Sequence, residues 1–270
     1  MWKYGFASVA GASHLKSSLP CQDASRCEVF VGPGGEEILL AVASDGAGSA
    51  AHAQLGAQLA CDLFISEAQA HFAGQGNWPQ LADGFIRDWI GRFQNLATGW
   101  SGEAQKTQDF ACTLLAAVVG QGSAVYFQIG DGAIVESRRE EPDRYSVVCW
   151  PQQGEYANTT NFLTDADATA KIFVELKSGA VDEVALFTDG IQSLVLDYRA
   201  QSAHSPFFAP LFAWLRPRDG GYSQELSDSL ARYLNSEKIN SRTDDDKTLI
   251  LATRRTVPQT VQSAEGSMSR

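Results

Sequence analysis

The chain has 270 residues, 44% of them hydrophobic and 20% charged, enough to bury a substantial core within one large domain. A formal net charge of −11 excludes a general affinity for nucleic acid or anionic membrane, since phosphate binding rests on clustered Lys and Arg. No stretch approaches the roughly 18 apolar residues of a membrane span, and the start, MWKYGFASVAGASHLK, lacks the basic and apolar regions of a signal peptide, so the expectation is a cytoplasmic protein. In chain order, Trp2 to Ala10 and Ser25 to Val31 read as strands, and the turn GPGGEE returns the chain into Ile38 to Ser44, giving an antiparallel meander. A helix from about Ala51 to Ala73 follows, with Leu55, Leu59 and Leu63 as its apolar stripe. A second, from about Trp78 to Leu96, carries Leu81, Phe85, Trp89 and Phe93 on one face.

Ala111 to Val119, Ser123 to Ile129, Ala133 to Arg138 and Tyr145 to Cys149 read as strands whose near-continuous apolar character predicts burial on both faces. Lys171 to Glu175 and Glu183 to Thr188 are further strands. Ile191 to Leu196, Pro206 to Leu215 and Gln224 to Leu234 then read as helical, before a last strand, Thr248 to Thr253. The end, VPQTVQSAEGSMSR, has little apolar content, and residues 255–270 are expected to form a disordered tail behind a single domain of residues 1–254. Strands grouped together, with helices in two blocks, predict an α+β fold in which helices cover packed antiparallel sheets.

Five scattered cysteines form no C-x-x-C pair and read as reduced thiols, and His14, Cys21 and Cys27 match no common zinc spacing. The stretch SDGAGSAA, Ser44 to Ala51, fits the loose G-x-G-x-x-A pattern of a dinucleotide-binding turn. That reading requires a strand ending in an acidic residue about 20 residues further on, where this sequence is still helical. A different pattern carries more weight: Asp-Gly ends an apolar strand three times, in ASDG at Asp45, IGDG at Asp131 and FTDG at Asp189. At Asp131 the next strand follows directly, so a hairpin turn explains that pair. At Asp45 and Asp189 the chain passes into helix, and strand-end carboxylates from separate parts of a sheet can converge on a hard divalent cation. Asp23 and the run Asp244, Asp245 and Asp246 add further candidates.

Taken in order, GASHLKSSLPCQDA, AVASDGAGSA, FACTLLAAVV with VYFQIGDGAIV, VALFTDGIQ and DDKTLILA resemble the metal-dependent protein Ser/Thr phosphatases of type 2C, in a compact bacterial form. The resemblance spans about Gly11 to Ala252. It implies a four-layer α-β-β-α sandwich with two packed antiparallel sheets and a centre of two Mn²⁺ or Mg²⁺ ions, whose bridging water attacks phosphoserine or phosphothreonine. By this match Asp45 is the bridging aspartate and the Gly46 carbonyl a ligand of the second ion. Asp189 is a ligand of the first. Asp245 stands for the aspartate of the terminal D-N-x-T motif, with Asp246 in the asparagine's place and Thr248 in the threonine's, although three consecutive aspartates leave the register open by one. Asp23 matches the acidic residue that positions the attacking water and belongs with the metal-site carboxylates.

Three positions depart from the pattern. Gln22 stands where the family places Glu, Ser18 where an Arg binds the substrate phosphate, and Ala47 where many relatives carry His or Met. Lys16 or His14 could take the place of that Arg, so His14, Lys16 and Ser18 are the substrate-binding candidates, with His14 the histidine to test and His52 expected in packing. The implied partner is a phosphorylated protein, with a cognate Ser/Thr kinase, acted on by a monomer. The departures motivate one alternative, a catalytically weak regulatory or binding module with the same fold.

Overall fold

The computed structural model describes residues 1–99, 106–142, 144–152 and 160–256. β1 (Lys3–Val9) leads through a short helix, α1 (Ala12–Ser17), into the hairpin β2 (Ala24–Val31) and β3 (Glu37–Ser44). Helices α2 (Ala53–Ala73), α3 (Trp78–Gln80) and α4 (Ile86–Gly99) follow, with the π-helical turn Leu81–Phe85 joining the last two. Next come β4 (Leu114–Val119), β5 (Ser123–Ile129), β6 (Ala133–Arg138), β7 (Ser146–Cys149), α5 (Ala168–Lys171), β8 (Phe173–Ser178) and β9 (Val181–Phe187). The remainder holds α6 (Asp189–Val195), the paired β10 (Leu196–Asp197) and β11 (Ser202–Ala203), and α7 (Ser205–Leu215). It closes with β12 (Gly221–Tyr222), α8 (Gln224–Leu234), α9 (Glu237–Asn240) and β13 (Lys247–Thr253).

Two sheets form the centre, ordered β2-β3-β4-β5-β8 and β12-β1-β13-β9-β6-β7. Every pair in them is antiparallel except β1 with β12. The period-2 geometry of a strand explains how nearly continuous apolar runs fill three separate cores. From β3, Ile38, Leu40 and Val42 face α2 and α4, while Leu39, Ala41 and Ala43 face the opposite sheet. From β13, Ile250 and Ala252 join the inter-sheet layer, while Leu249 and Leu251 pack under α7 and α8. The result is the α-β-β-α sandwich, with both faces of its central strands buried.

Three expectations change. β1 does not continue a meander with β2; it pairs with β13 along seven residues in the other sheet. Local turn chemistry joins β2 to β3, whereas β1 finds a partner more than 200 residues away. The leucine stripe only borders the buried face of α2: Leu55 is 39% exposed, while Leu59 and Leu63 are half-buried against the edge of the core. Ala57, Ala60, Cys61, Phe64 and Ala68 pack in the core over the sheet, their mostly small side chains letting the helix axis approach closely, and Gly56 lies so near the Phe110 carbonyl that a Cβ would sit 2.3 Å from it. Nor is the IGDG segment a hairpin turn: it carries the chain from β5 in one sheet to β6 in the other. The dinucleotide reading has no support in this topology, as α2 is followed by further helix and no parallel β-α-β unit surrounds Gly46.

The helical layer over β3, β4 and β5 is tied together by Phe64, fully buried and edge-on to Phe85, Trp89 and Phe127. Of the expected tail, Arg255 is held by Glu183 at 3.0 Å, and residues 257–270 lie outside the described residues. Phe64→Ala should cost about 3–5 kcal/mol by leaving a cavity at this junction, read as a lower urea midpoint with an unchanged m-value.

Candidate metal centre

One end of the sandwich collects the strand ends. Asp45 follows β3, Asp131 lies in the crossing from β5 to β6, and Asp189 follows β9 at the start of α6. One carboxylate oxygen from each of the three lies within 4.8 Å of the others. They line a cavity of about 230 Å³ together with His14, Gln22, Gly46, Thr160 and Asp245. A larger groove of about 400 Å³ between α7, α8 and α9 has no carboxylate in its lining and is not part of this site.

Backbone pairing fixes Asp45. Its N–H donates to Thr113 Oγ1 at 2.9 Å and its carbonyl accepts from Thr113 N–H at 2.8 Å, so the residue is clamped to the chain entering β4. Gly46 is required by space: a Cβ there would sit 2.5 Å from the Ala53 carbonyl oxygen and 2.8 Å from that of Gln22. Its own carbonyl accepts no hydrogen bond from the described residues. Gly190 is equally constrained, because the Asp246 carbonyl occupies the space a side chain would need. The Asp-Gly pairs thus allow segments from both sheets to crowd around the carboxylates.

Asp23 stands behind this cluster and is 6% exposed. Its Oδ2 accepts from Thr188 Oγ1 at 2.7 Å and Thr248 Oγ1 at 2.8 Å, while its Oδ1 is buried with no partner. Asp189 Oδ1 and Gln22 Oε1 are likewise buried and unpartnered. Burial raises the Asp45 carboxyl well above the usual range, and the charges of Asp23, Asp189 and Asp245 add to the effect. Burial also raises Asp23, to about 8 despite its two threonine donors, and raises Asp189 to about 7 with help from Asp131 and Asp245. Asp131 rises for the same first reason.

The acidic run divides by function of position. Asp246 is a staple: its Oδ1 accepts from the Gly11 N–H at 2.6 Å, and its Oδ2 accepts from the Gln22 N–H at 2.5 Å and lies 2.9 Å from His14 Nδ1. Asp245 is exposed and lines the cavity, and Asp244 uses its carbonyl to receive the Ser13 N–H at 3.0 Å. Of the substrate-binding candidates, only His14 lines the cavity; Lys16 and Ser18 are exposed on and just after α1. His52 packs beside Phe110, with ring centroids 5.1 Å apart. Sequence reasoning missed Asp131, although its IGDG is the same motif as the other two; the signal was the recurrence, which the adjacent strand masked.

Unpartnered buried carboxylate oxygens close to like charges are the arrangement that a hard divalent cation resolves, so the residues present fit such an ion. The same end of the fold brings Asp23 and Gln22 beside Asp45 and Gly46, which the sequence places in different motifs.

Comparisons with known proteins agree with this arrangement. Residues 10–235 match the protein phosphatase 2C family. The chain is 35% identical over 254 residues to "Serine/threonine-protein phosphatase 3" of Escherichia coli (strain K12), covering 93% of this chain and 98% of that one. Similar solved structures include the serine/threonine phosphatase Stp1 from Staphylococcus aureus, with a TM-score of 0.60, 16% identity, and 94% of this chain and 95% of that one covered. The catalytic domain of the phosphatase PstP in complex with two manganese ions has a TM-score of 0.55 and 16% identity, covering 93% of this chain and 97% of that one. At this identity the solved structures bear on the fold, whereas the family match and the Escherichia coli relative bear on descent. The chain belongs to the protein phosphatase 2C family.

Proposed function

We propose that the protein is a Mn²⁺- or Mg²⁺-dependent phosphatase that hydrolyses phosphoserine and phosphothreonine in proteins. The observation that carries the reading is the convergence of Asp45, Asp131 and Asp189 oxygens within 4.8 Å at the end of a family sandwich. Asp45, Asp189, Asp245 and the Gly46 carbonyl hold a pair of cations, and Asp131 joins them. Asp23 completes the set by orienting the attacking water. Bound there, the cations supply charge neutralisation and an attacking water of lowered pKa. The PstP catalytic domain, solved in complex with two manganese ions, supports the stoichiometry.

The chain's own residues do the rest. Thr188 and Thr248 fix the Asp23 carboxyl from one side, leaving Oδ1 for the reaction. Gln22 offers a neutral amide oxygen in place of a carboxylate, so one cation is held with less charge than a Glu would give. His14 meets the phosphoryl group as the cavity-lining side chain able to carry positive charge among the described residues, while Lys16 and Ser18 stay outside the cavity as parts of its approach. The substrate is made by a Ser/Thr kinase, and the protein works as a cytoplasmic monomer in signalling.

Asp45→Asn and Asp189→Asn should each lower Mn²⁺-dependent hydrolysis of a phosphoserine peptide by about 100-fold or more, with circular dichroism unchanged. Wild-type rates in both variants, or full activity in excess chelator, refute the assignment. Asp131→Asn tests the residue the sequence left in a turn, by the same loss.

A pH dependence follows for the metal-free protein. The folded-state carboxyls of Asp23 and Asp189 lie near 8 and 7, above the unfolded value of about 3.9. Their contribution to stability is therefore complete below about pH 3.9 and is lost as pH rises through the folded values. In chelator, Asp189→Asn should melt above wild type at pH 8, and the gap should close towards pH 4. A gap of constant size across this range would contradict the burial of an uncompensated charge. Added Mn²⁺ should raise the wild-type melting temperature more at pH 8 than at pH 5.

A further inference from the structure

We propose that the groove along α7 docks a segment of the phosphoprotein substrate that combines apolar side chains with carboxylates, beside the metal centre. The inference rests on the phosphatase reading and names the kind of substrate it favours.

The sequence of α7, SPFFAPLFAWL, is apolar on every side. Phe208, Phe212 and Leu215 are buried in the core over the sheet, which accounts for one face. Phe207, Leu211 and Trp214, at i, i+4 and i+7, form a second stripe that is only half-buried. A helix that is hydrophobic all round belongs between two partners, and here the second face looks into a groove. The groove consists of a cavity of about 400 Å³ towards α9 and one of about 320 Å³ towards Trp214, which share Pro210, Leu211 and Tyr233. Phe207 of α7 and Tyr233 of α8, with ring centroids 6.2 Å apart, join its two walls.

Charge marks one end. Lys238 on α9 and Arg242 just after it line the larger cavity, whose lining holds no Asp or Glu. Both side chains are exposed, and neither has an ion pair or side-chain hydrogen bond among the described residues. The chain carries 32 acidic residues against 21 basic ones, so a groove lined by two unpaired cations and no acid runs against its overall sign. Lysine and arginine stay charged at neutral pH, and an occupant with carboxylates at this end and apolar side chains along the stripe complements both.

Location assigns the occupant to the substrate. Arg242 stands three residues before Asp245, at most about 11 Å of chain. Leu194, which also lines the larger cavity, stands five residues after Asp189 on α6, about 8 Å along the helix axis. The groove therefore begins beside two of the proposed cation ligands, and α7 carries it about 16 Å further. A phosphoprotein with its phosphoserine at the centre reaches the far end of the groove within about ten extended residues.

Peptides test the docking. With Mn²⁺, a phosphoserine peptide extended by a segment of leucines and glutamates, on one side of the phosphoserine or the other, should show a KM about tenfold lower than the unextended peptide, with kcat little changed. The double variant Lys238→Glu with Arg242→Glu should lose that advantage and keep wild-type kcat and KM on the unextended peptide. Exchanging the glutamates for lysines should reverse the preference, the double variant then having the lower KM. Leu211→Asn should raise KM for the extended peptide alone. A KM that neither extension lowers, or an advantage that survives in the double variant, overturns the proposal. Fluorescence anisotropy of the labelled segment without phosphoserine, in chelator, reads docking independently of turnover. Hydrolysis of phosphopeptides without segment binding would refute the groove alone, whereas segment binding by a protein inactive on every phosphopeptide would refute the phosphatase reading and the substrate assignment with it. A wild-type dimer in sedimentation that the double variant dissolves would give the groove to a second copy, and amide shifts of residues 257–270 caused by the double variant would give it to the chain's own end; either overturns the proposal. Melting temperatures of the variants verify that the fold is kept.

Discussion

Carboxylates of like charge face one another at the end of the sandwich, and no Lys or Arg among the described residues lines the cavity between them. That unresolved repulsion is the constraint around which the site is organised. Threonine hydroxyls hold Asp23, the Thr113 backbone and hydroxyl hold Asp45, and glycines at 46 and 190 let the supporting segments close in. The threonines hold the Asp23 carboxylate and the Asp45 backbone in place, and none of these supports brings a positive charge. No lysine or arginine among the described residues supplies the compensating charge, which is why the geometry suits cations and why burial moves these carboxyls upward.

The far end of the same strand makes the contrast. Asp182 and Glu183 follow Val181 at the start of β9, while Asp189 lies two residues beyond its end. Burial opposes ionisation of Asp182 too, but Arg139 and Arg254 outweigh it and hold that carboxyl below the usual range. Glu183 is fully buried and receives Arg216 at 2.8 Å and Arg255 at 3.0 Å. At this end of β9 the chain pairs its two buried acids with arginine. At the opposite end it leaves them unpaired, and a small change of partner separates a lock from a binding site.

Asp246 links that site to the amino-terminal segment. By accepting from Gly11, Gln22 and His14 it draws α1 and the start of β2 onto the acidic run, although these parts are separated by more than 220 residues in sequence. Its neighbour Asp245 is thereby left facing the cavity. Three consecutive aspartates, alike in the sequence, differ in the fold: Asp246 is buried against backbone N–H groups as the staple, and Asp245, whose Oδ1 accepts the Asp246 N–H at 2.9 Å, lines the cavity.

Most strand and helix identities, the grouping of elements and the strand-end positions of Asp45 and Asp189 were legible in the sequence, because apolar period and Asp-Gly strand ends are local properties. Burial on both faces was equally legible for β4, β5 and β6 from their unbroken apolar runs, whereas β7, of which the same was expected, lies at the sheet edge and is only half-buried. The sheet to which β1 belongs was not, since adjacency in sequence says nothing about a partner at β13. The buried face of α2 was misplaced because leucines look like a core, whereas the close contact selects alanine and glycine. Asp131 read as a turn because the next strand begins two residues later, and only the assignment of β5 and β6 to different sheets converts that turn into a bridge over the site. Sequence determined which residues could bind a cation; tertiary structure decided which of them meet, because convergence depends on the packing of two sheets and not on the distance along the chain.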